Sequence, residues 1–189
     1  MRALVTGASS GLGRDIARVL SKKRISLVLV ARRRERLEEL RRELSVPVEI
    51  IPCDLSSLAA CRALYGELRD EHMDIVVNNA GFGVYGSFDQ TNLEQELRLI
   101  DTNIRAVHVL TKLFLADFIR RDSGYLLNVA SAAGYLPGPQ MAAYYASKSY
   151  VLCLTQAIRE ELAHAHSRVG VTALCPGPVS TEFNRVAKV

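Results

Sequence analysis

The sequence predicts an α/β fold: a doubly wound parallel sheet of about six strands with helices packed on both faces. Three observations predict it. Six short apolar runs alternate along the chain with segments of helical period. The runs are continuously apolar instead of alternating apolar with polar, the mark of strands covered on both sides. The chain has 189 residues, one domain's worth with little room for a second, so residues 1–189 are read as a single domain.

Each element follows in order. RALVT (2–6) is the first strand; a Gly-rich turn follows it, then helical period to about Leu20. ISLVLVA (25–31) is the second strand. A charged helix is predicted over about 33–44, where Glu and Arg alternate so that i,i+4 pairs can form. Pro47 opens the third strand, VEIIP. Residues 56–72 read as helix with Ser56 or Ser57 as N-cap. DIVVN (74–78) is the fourth strand, followed by a loop with Gly81, Gly83 and Gly86. Residues 92–119 are predicted as one long helix, YLLNVA (125–130) as the fifth strand and 141–164 as another long helix. VGVTALC (169–175) is the sixth strand, closed by Pro176-Gly177-Pro178. Such sheets bind ligands at the carboxyl ends of their strands, so the chemistry is sought in the loops that follow them.

Composition narrows the function classes. Hydrophobic residues make up 49% and charged residues 23%, an ordinary globular balance that excludes disorder. No stretch approaches the ~20 apolar residues of a membrane span. MRALVTG lacks the apolar core of a signal peptide, so a cytoplasmic protein with no membrane partner is expected. Cys53, Cys61, Cys153 and Cys175 have no zinc-site or redox-pair spacing and suit a reducing compartment. His164 and His166 point to different sides of a helix, and no metal site is expected. Net charge is +4 but uneven: residues 14–42 hold 11 of the 24 Lys/Arg and 4 of the 20 Asp/Glu. Such a block suits a phosphate-bearing ligand or, for most of its length, simply a solvated helix. It lacks the aromatic interleaving of a nucleic-acid binder, so no nucleic-acid partner is expected.

The first motif is Thr6-Gly7-Ala8-Ser9-Ser10-Gly11-Leu12-Gly13. It lies between a strand and a helix, where a Rossmann-type fold binds a dinucleotide. Glycines there allow a tight turn and close approach of the backbone to a pyrophosphate. The helix N-terminus offers unpaired N–H groups and partial positive charge. A lone glycine triplet is weak evidence, since glycines also simply make turns. The spacing here is Gly-x-x-x-Gly-x-Gly.

With the later segments, this spacing resembles the compact, single-domain branch of the short-chain dehydrogenases/reductases. Asn78-Asn79-Ala80-Gly81 follows the fourth strand, Asn103 sits in the next helix and Ser131 ends the fifth strand. Tyr144 and Lys148 form a YxxxK motif, and Pro176-Gly177-Pro178-Val179-Ser180-Thr181 matches a PGxVxT segment. YxxxK alone would occur by chance in about a third of chains this long. These motifs in order, each on its expected element, carry the resemblance over the whole chain.

The resemblance implies an oxidoreductase that interconverts a carbonyl and an alcohol by hydride transfer with a nicotinamide dinucleotide. Tyr144 is the implied general acid/base and Ser131 the hydrogen-bond partner of the substrate carbonyl. Lys148 binds the cofactor ribose and supports Tyr144, and Asn103 holds a water in a proton relay. Asn103 is also readable as a buried amide that satisfies distorted helix backbone. Implied cofactor contacts are Gly7, Ser9, Ser10, Gly11, Leu12, Arg32, Arg33, Asp54, Leu55, Asn79, Ala80, Gly81, Tyr144, Lys148, Pro176, Gly177, Val179 and Thr181. Asp54 would meet the adenine ring, or else cap the helix before Ser56. Tyr145 is read as packing or a substrate wall. From the residues themselves, Tyr144 and Lys148 share a helix face four apart. A tyrosine with pKa ~10 needs about 4 kcal/mol of help to act as a base at pH 7, which a nearby ammonium or the cofactor's positive ring can supply.

The end of the second strand bears on the choice of cofactor. NAD sites place an acid there for the ribose 2′-hydroxyl; here Ala31 is followed by Arg32-Arg33-Arg34. A guanidinium can bind a 2′-phosphate bidentately, so NADP(H) is preferred over NAD(H), with Arg32 the main contact. The resemblance also implies more chain after PGxVxT: substrate-covering helices, and a seventh strand with its helix. A C-terminally truncated member is therefore expected, with residues 169–175 left as an apolar sheet edge. The alternative function is an NADP(H)-binding protein, or inactive fragment, without turnover. A homodimer is expected through the two long helices, using Val107, Leu110, Phe114, Phe118, Val151, Leu154 and Ile158, with ordinary core as the alternative for about half of these residues. The substrate is not legible beyond an apolar, medium-sized pocket.

Overall fold

The structure is a computed structural model and describes residues 1–178. Six strands form one parallel sheet: β1 (Arg2–Thr6), β2 (Ser26–Ala31), β3 (Val48–Pro52), β4 (Ile75–Asn78), β5 (Tyr125–Val129) and β6 (Gly170–Leu174). Their order in the sheet is β3-β2-β1-β4-β5-β6. The helices are α1 (Gly11–Lys22), α2 (Arg34–Glu43), α3 (Leu58–Leu68), α4 (Leu93–Ile100), α5 (Val107–Arg120) and α6 (Ala142–His164). This is the Rossmann-type, three-layer arrangement the apolar runs predict, with the order reversing between β1 and β4.

The double winding is visible in which residues share a core. Leu4, Val28, Val30 and Val76 pack under α3 and α5 with Leu64, Leu68, Phe114 and Phe118. Their strand neighbours Ala3, Val5, Leu27, Leu29 and Val77 pack on the other face with Ala17, Leu37 and Leu40 of α1 and α2. Alternate residues of a strand point to opposite faces, so a strand buried on both must be apolar throughout. Among the described residues β6 is an outer strand paired only with β5, and Thr172 and Leu174 are exposed on it.

Two expectations need correction. The long helix predicted over 92–119 is α4, a π-helical segment (Asp101–Ala106) and then α5. One added residue per turn hardly disturbs a hydrophobic stripe, so periodicity cannot report it. Five of the seven residues assigned to a dimer face, Val107, Leu110, Phe114, Phe118 and Val151, are buried within the subunit. The exposed apolar side chains of these helices include Leu93, Leu97, Ile100 and Tyr150 instead. No helix among the described residues is long and apolar enough to cross a membrane.

Candidate active site

The loops after β1 to β6 enclose a cleft of about 650 Å³, a size suited to a small-molecule cofactor. Its floor is braced from β1 to β4. Thr6 Oγ1 donates to the Val77 carbonyl (3.2 Å) and accepts from the backbone N–H groups of Asn79 (2.9 Å) and Ala80 (3.1 Å). The Asn79 amide donates to the carbonyls of Thr6 (2.9 Å) and Gly7 (3.2 Å). Gly7 has φ +65°, and a Cβ there would lie 2.8 Å from Ala80 Cα. A Cβ on Gly13 would overlap the Asn79 amide and the Gly7 carbonyl. Gly7 and Gly13 thus serve this clasp. Gly11 opens α1, where the N-cap Ser10 makes no side-chain capping bond. Ser10, Gly11 and Leu12 line the cleft, so the start of α1 borders it with the positive end of the helix dipole.

The cleft's charged end lies after β2 and β3. Arg32 and Arg33 line it together with Ser9, Ser10, Leu12, Asp54 and the buried Leu55. The Arg33 guanidinium donates to Ser9 Oγ (3.3 Å), which ties it to the glycine turn, while Arg32 is exposed. Burial pushes the Asp54 carboxyl up. The Ser56 N–H and hydroxyl (3.1 and 2.9 Å), with Arg32 and Arg98 nearby, outweigh it and hold the carboxyl below its usual range. Asp54 does not cap α3; Ser57 does, accepting from the Ala60 N–H at 3.3 Å. A 2′-phosphate fits the two guanidinium groups here, and a pyrophosphate fits the start of α1.

The other end lies after β4 and β5. Ser131 follows β5 and starts a 3₁₀ turn (Ala132–Tyr135), its hydroxyl accepting from the Ala133 N–H at 3.1 Å. Gly134 lets this turn rest on α6: a Cβ there would lie 2.9 Å from the Lys148 carbonyl, and Ser149 Oγ donates to the Gly134 carbonyl at 2.8 Å. Tyr144 and Lys148 stand on the same face of α6, as their spacing requires. Lys148 is 5% exposed, its Nζ donates to the Val129 carbonyl (2.8 Å), and burial holds the ammonium down to about 8. Its Nζ lies 5.7 Å from the centre of the Tyr144 ring.

Burial raises the Tyr144 phenol, against the opposing pull of the hydrogen bond with Ser131. Of the two sources of help expected for this phenol, Lys148 and the cofactor's positive ring, the first does not outweigh burial in the protein alone. A protonated Tyr144 is ready to donate.

Asn103 is 1% exposed on the π segment. Its amide donates to the Phe82 carbonyl (2.9 Å) and to Ser147 Oγ (3.1 Å), and its Oδ1 accepts from the Phe82 N–H (3.1 Å). Asn103 is thus a buried amide, as the alternative has it, but the backbone it satisfies is that of Phe82 in the loop after β4 and not that of its own distorted helix. Two residues that the sequence reading did not single out matter: Thr6, and Ser147. Ser147 is fully buried and donates to the Tyr144 carbonyl at 2.7 Å while accepting from Asn103. The signal for Ser147 was its place three residues after Tyr144, on the buried side of the helix.

Gly81 passes close to both groups, with a Cβ there 3.1 Å from Asn103 Oδ1 and 3.5 Å from Lys148 Nζ. Asn79, Ala80, Gly81, Pro176 and Gly177 line the cleft. Val179 and Thr181 lie outside the described residues. Among the described residues no group of three or more His, Cys, Asp or Glu side chains could hold a metal ion.

Comparison with known proteins agrees with this geometry. The family model described as short chain dehydrogenase matches residues 1–188. An uncharacterized oxidoreductase of Staphylococcus epidermidis is 35% identical over 181 residues, which span 95% of this chain and 78% of that protein. A short-chain dehydrogenase from Sphingobium yanoikuyae, solved in complex with NADPH, superposes with a TM-score of 0.92 at 35% identity over 100% of this chain and 75% of its own. One from Burkholderia phymatum, in complex with NAD, superposes at 0.90 with 29% identity over 100% of this chain and 69% of its own. The fold thus hosts either dinucleotide.

Proposed function

The chain belongs to the short-chain dehydrogenase family of oxidoreductases, and from that premise we propose that it interconverts a carbonyl and an alcohol with NADP(H) as hydride carrier. One observation carries the reading. A single cleft joins a phosphate-compatible end, with Arg32, Arg33 and the start of α1, to a proton-donating end, with Tyr144, Ser131 and Lys148.

In the reducing direction the bound nicotinamide supplies the hydride. Tyr144 donates its phenolic proton to the carbonyl oxygen, so the carbon gains hydride, the oxygen gains a proton, and the alcohol forms. Ser131 donates a hydrogen bond to that oxygen as negative charge gathers on it. Lys148, buried beside the phenol, stabilises the phenolate left behind and shares its remaining N–H donors with the ribose. In oxidation each transfer reverses. Arg32 and Arg33 would meet the 2′-phosphate of NADP(H), and a carboxylate in their place would repel it.

NADPH oxidation over a panel of ketones and aldehydes tests this. Turnover is expected in the wild type. Tyr144→Phe is expected to lower kcat by about 10²–10⁴ with NADPH affinity within about threefold. NADPH binding without oxidation across the panel would instead support the alternative, a binding protein without turnover.

A further inference from the structure

The cleft's charges are not spread evenly. Arg32, Arg33 and Asp54 follow β2 and β3, and Lys148 lies beneath Tyr144, 5% exposed and bonded to Val129. Beyond Tyr144 and Ser131, the wall is made of Phe82, Ala132, Ala133, Leu136, Met141 and Tyr145. Among the described residues that line the cleft, this end presents no guanidinium, exposed ammonium or carboxylate. Leu136 is 63% exposed at the rim, an apolar side chain held in water beside an apolar wall.

The wall is also built to stay in place. Gly138 lies against the Tyr145 ring so closely that a Cβ would overlap it. The Tyr145 ring stands edge-on to Tyr144, centroids 6.1 Å apart. Gln140 holds φ +64°, a strained angle for a residue with a side chain. Its carbonyl accepts from the Gly86 N–H at 2.8 Å, fastening this loop to the one after β4. Met141 donates to the Gly138 carbonyl at 3.2 Å.

We infer that the substrate is an uncharged ketone, or its secondary alcohol, with apolar flanks, and not a 2-oxo acid, amino acid, sugar acid or phosphate ester. This rests on the reductase reading above. A carboxylate next to the reacting carbonyl would leave water for an apolar wall with no cation among the described residues to receive it, which is strongly unfavourable. Aliphatic and aromatic flanks gain from the same wall. Leu136, Met141 and Tyr145 are the residues that set this preference.

A matched pair tests it on the NADPH-loaded protein: benzylacetone, and the 2-oxo acid that carries a carboxylate in place of its methyl group. The ketone is expected to have the higher kcat/KM by at least about tenfold, although the oxo acid's carbonyl is the more electrophilic. Equal values, or a preference for the oxo acid, would overturn the inference. Where turnover is too slow to follow, the same order is read from the change in bound-NADPH fluorescence on titration. Neither compound binding the loaded protein would also overturn it, whereas failure of NADPH itself to bind would overturn the cofactor reading. Leu136→Arg, at an exposed site that tolerates the change, is expected to narrow the ratio about fivefold or more by favouring the anion. An unchanged ratio would remove Leu136 from the wall.

Discussion

At the β1–β3 end of the cleft, the lining is short and polar, and much of it is backbone: the glycine turn, the first N–H groups of α1 and a pair of arginines. At the β5–α6 end it is apolar and made of side chains, most of them between Ala132 and Tyr145 with Phe82 from the loop after β4, fastened by contacts such as Gly86 to Gln140 and Gly138 to Tyr145. The difference follows from the ligands. A dinucleotide presents the same phosphates in every protein that binds it, and backbone amides suffice to meet them. A substrate differs from one enzyme to the next, and only side chains can distinguish it.

The largest expected effect at the nucleotide end comes from Gly13→Ala. The new methyl overlaps the Asn79 amide and the Gly7 carbonyl, so the turn must shift. NADPH affinity is expected to fall about 100-fold by calorimetric titration, with Tm a few degrees lower. Unchanged affinity would show that the clasp does not hold the turn in its binding shape.

Arg32→Ala sharpens the same contrast with a smaller effect. Loss of one charge-assisted contact to the 2′-phosphate is expected to cost NADPH about 10–100-fold in affinity and NADH less than about twofold. Equal losses for both would place Arg32 away from the 2′ position.

The smallest effect lies on the boundary between the two ends. The Lys148 ammonium titrates at about 8 in the folded protein against 10.5 ordinarily. Between these values the unfolded chain binds more protons than the native one, so the protein gains stability as pH rises through that window, and below it the full cost of the buried charge remains. Lys148→Met lacks this gain. Its stability relative to the wild type, from urea midpoints without cofactor, is expected to decline from pH 7.5 to pH 10. A constant difference would return Lys148 to an ordinary ammonium.

The strands and helices were legible in the sequence because their apolar periods are local. Tyr144 and Lys148 were legible for the same reason, since four residues on a helix define one face. What was not legible depends on pairs of residues distant in sequence. Thr6 and Asn79 meet across 73 residues, and Asn103 and Ser147 across 44. The π segment hid inside a stretch whose helical period runs on through the buried Asn103. Val107, Leu110, Phe114, Phe118 and Val151 read equally as core or as partner surface until the helices were placed on the sheet.

By itself, then, the sequence determined a doubly wound parallel sheet, its glycine turn, the arginines after β2 and the Tyr144–Lys148 pair. Each is written in neighbouring residues. The tertiary structure alone decided that Asn79 and Gly13 brace the turn and that burial raises the Tyr144 phenol. It alone also decided that the charges gather at one end of the cleft while the other stays apolar. Burial, close approach and the sum of nearby charges are properties of the space between elements, and that space exists only once the chain has folded.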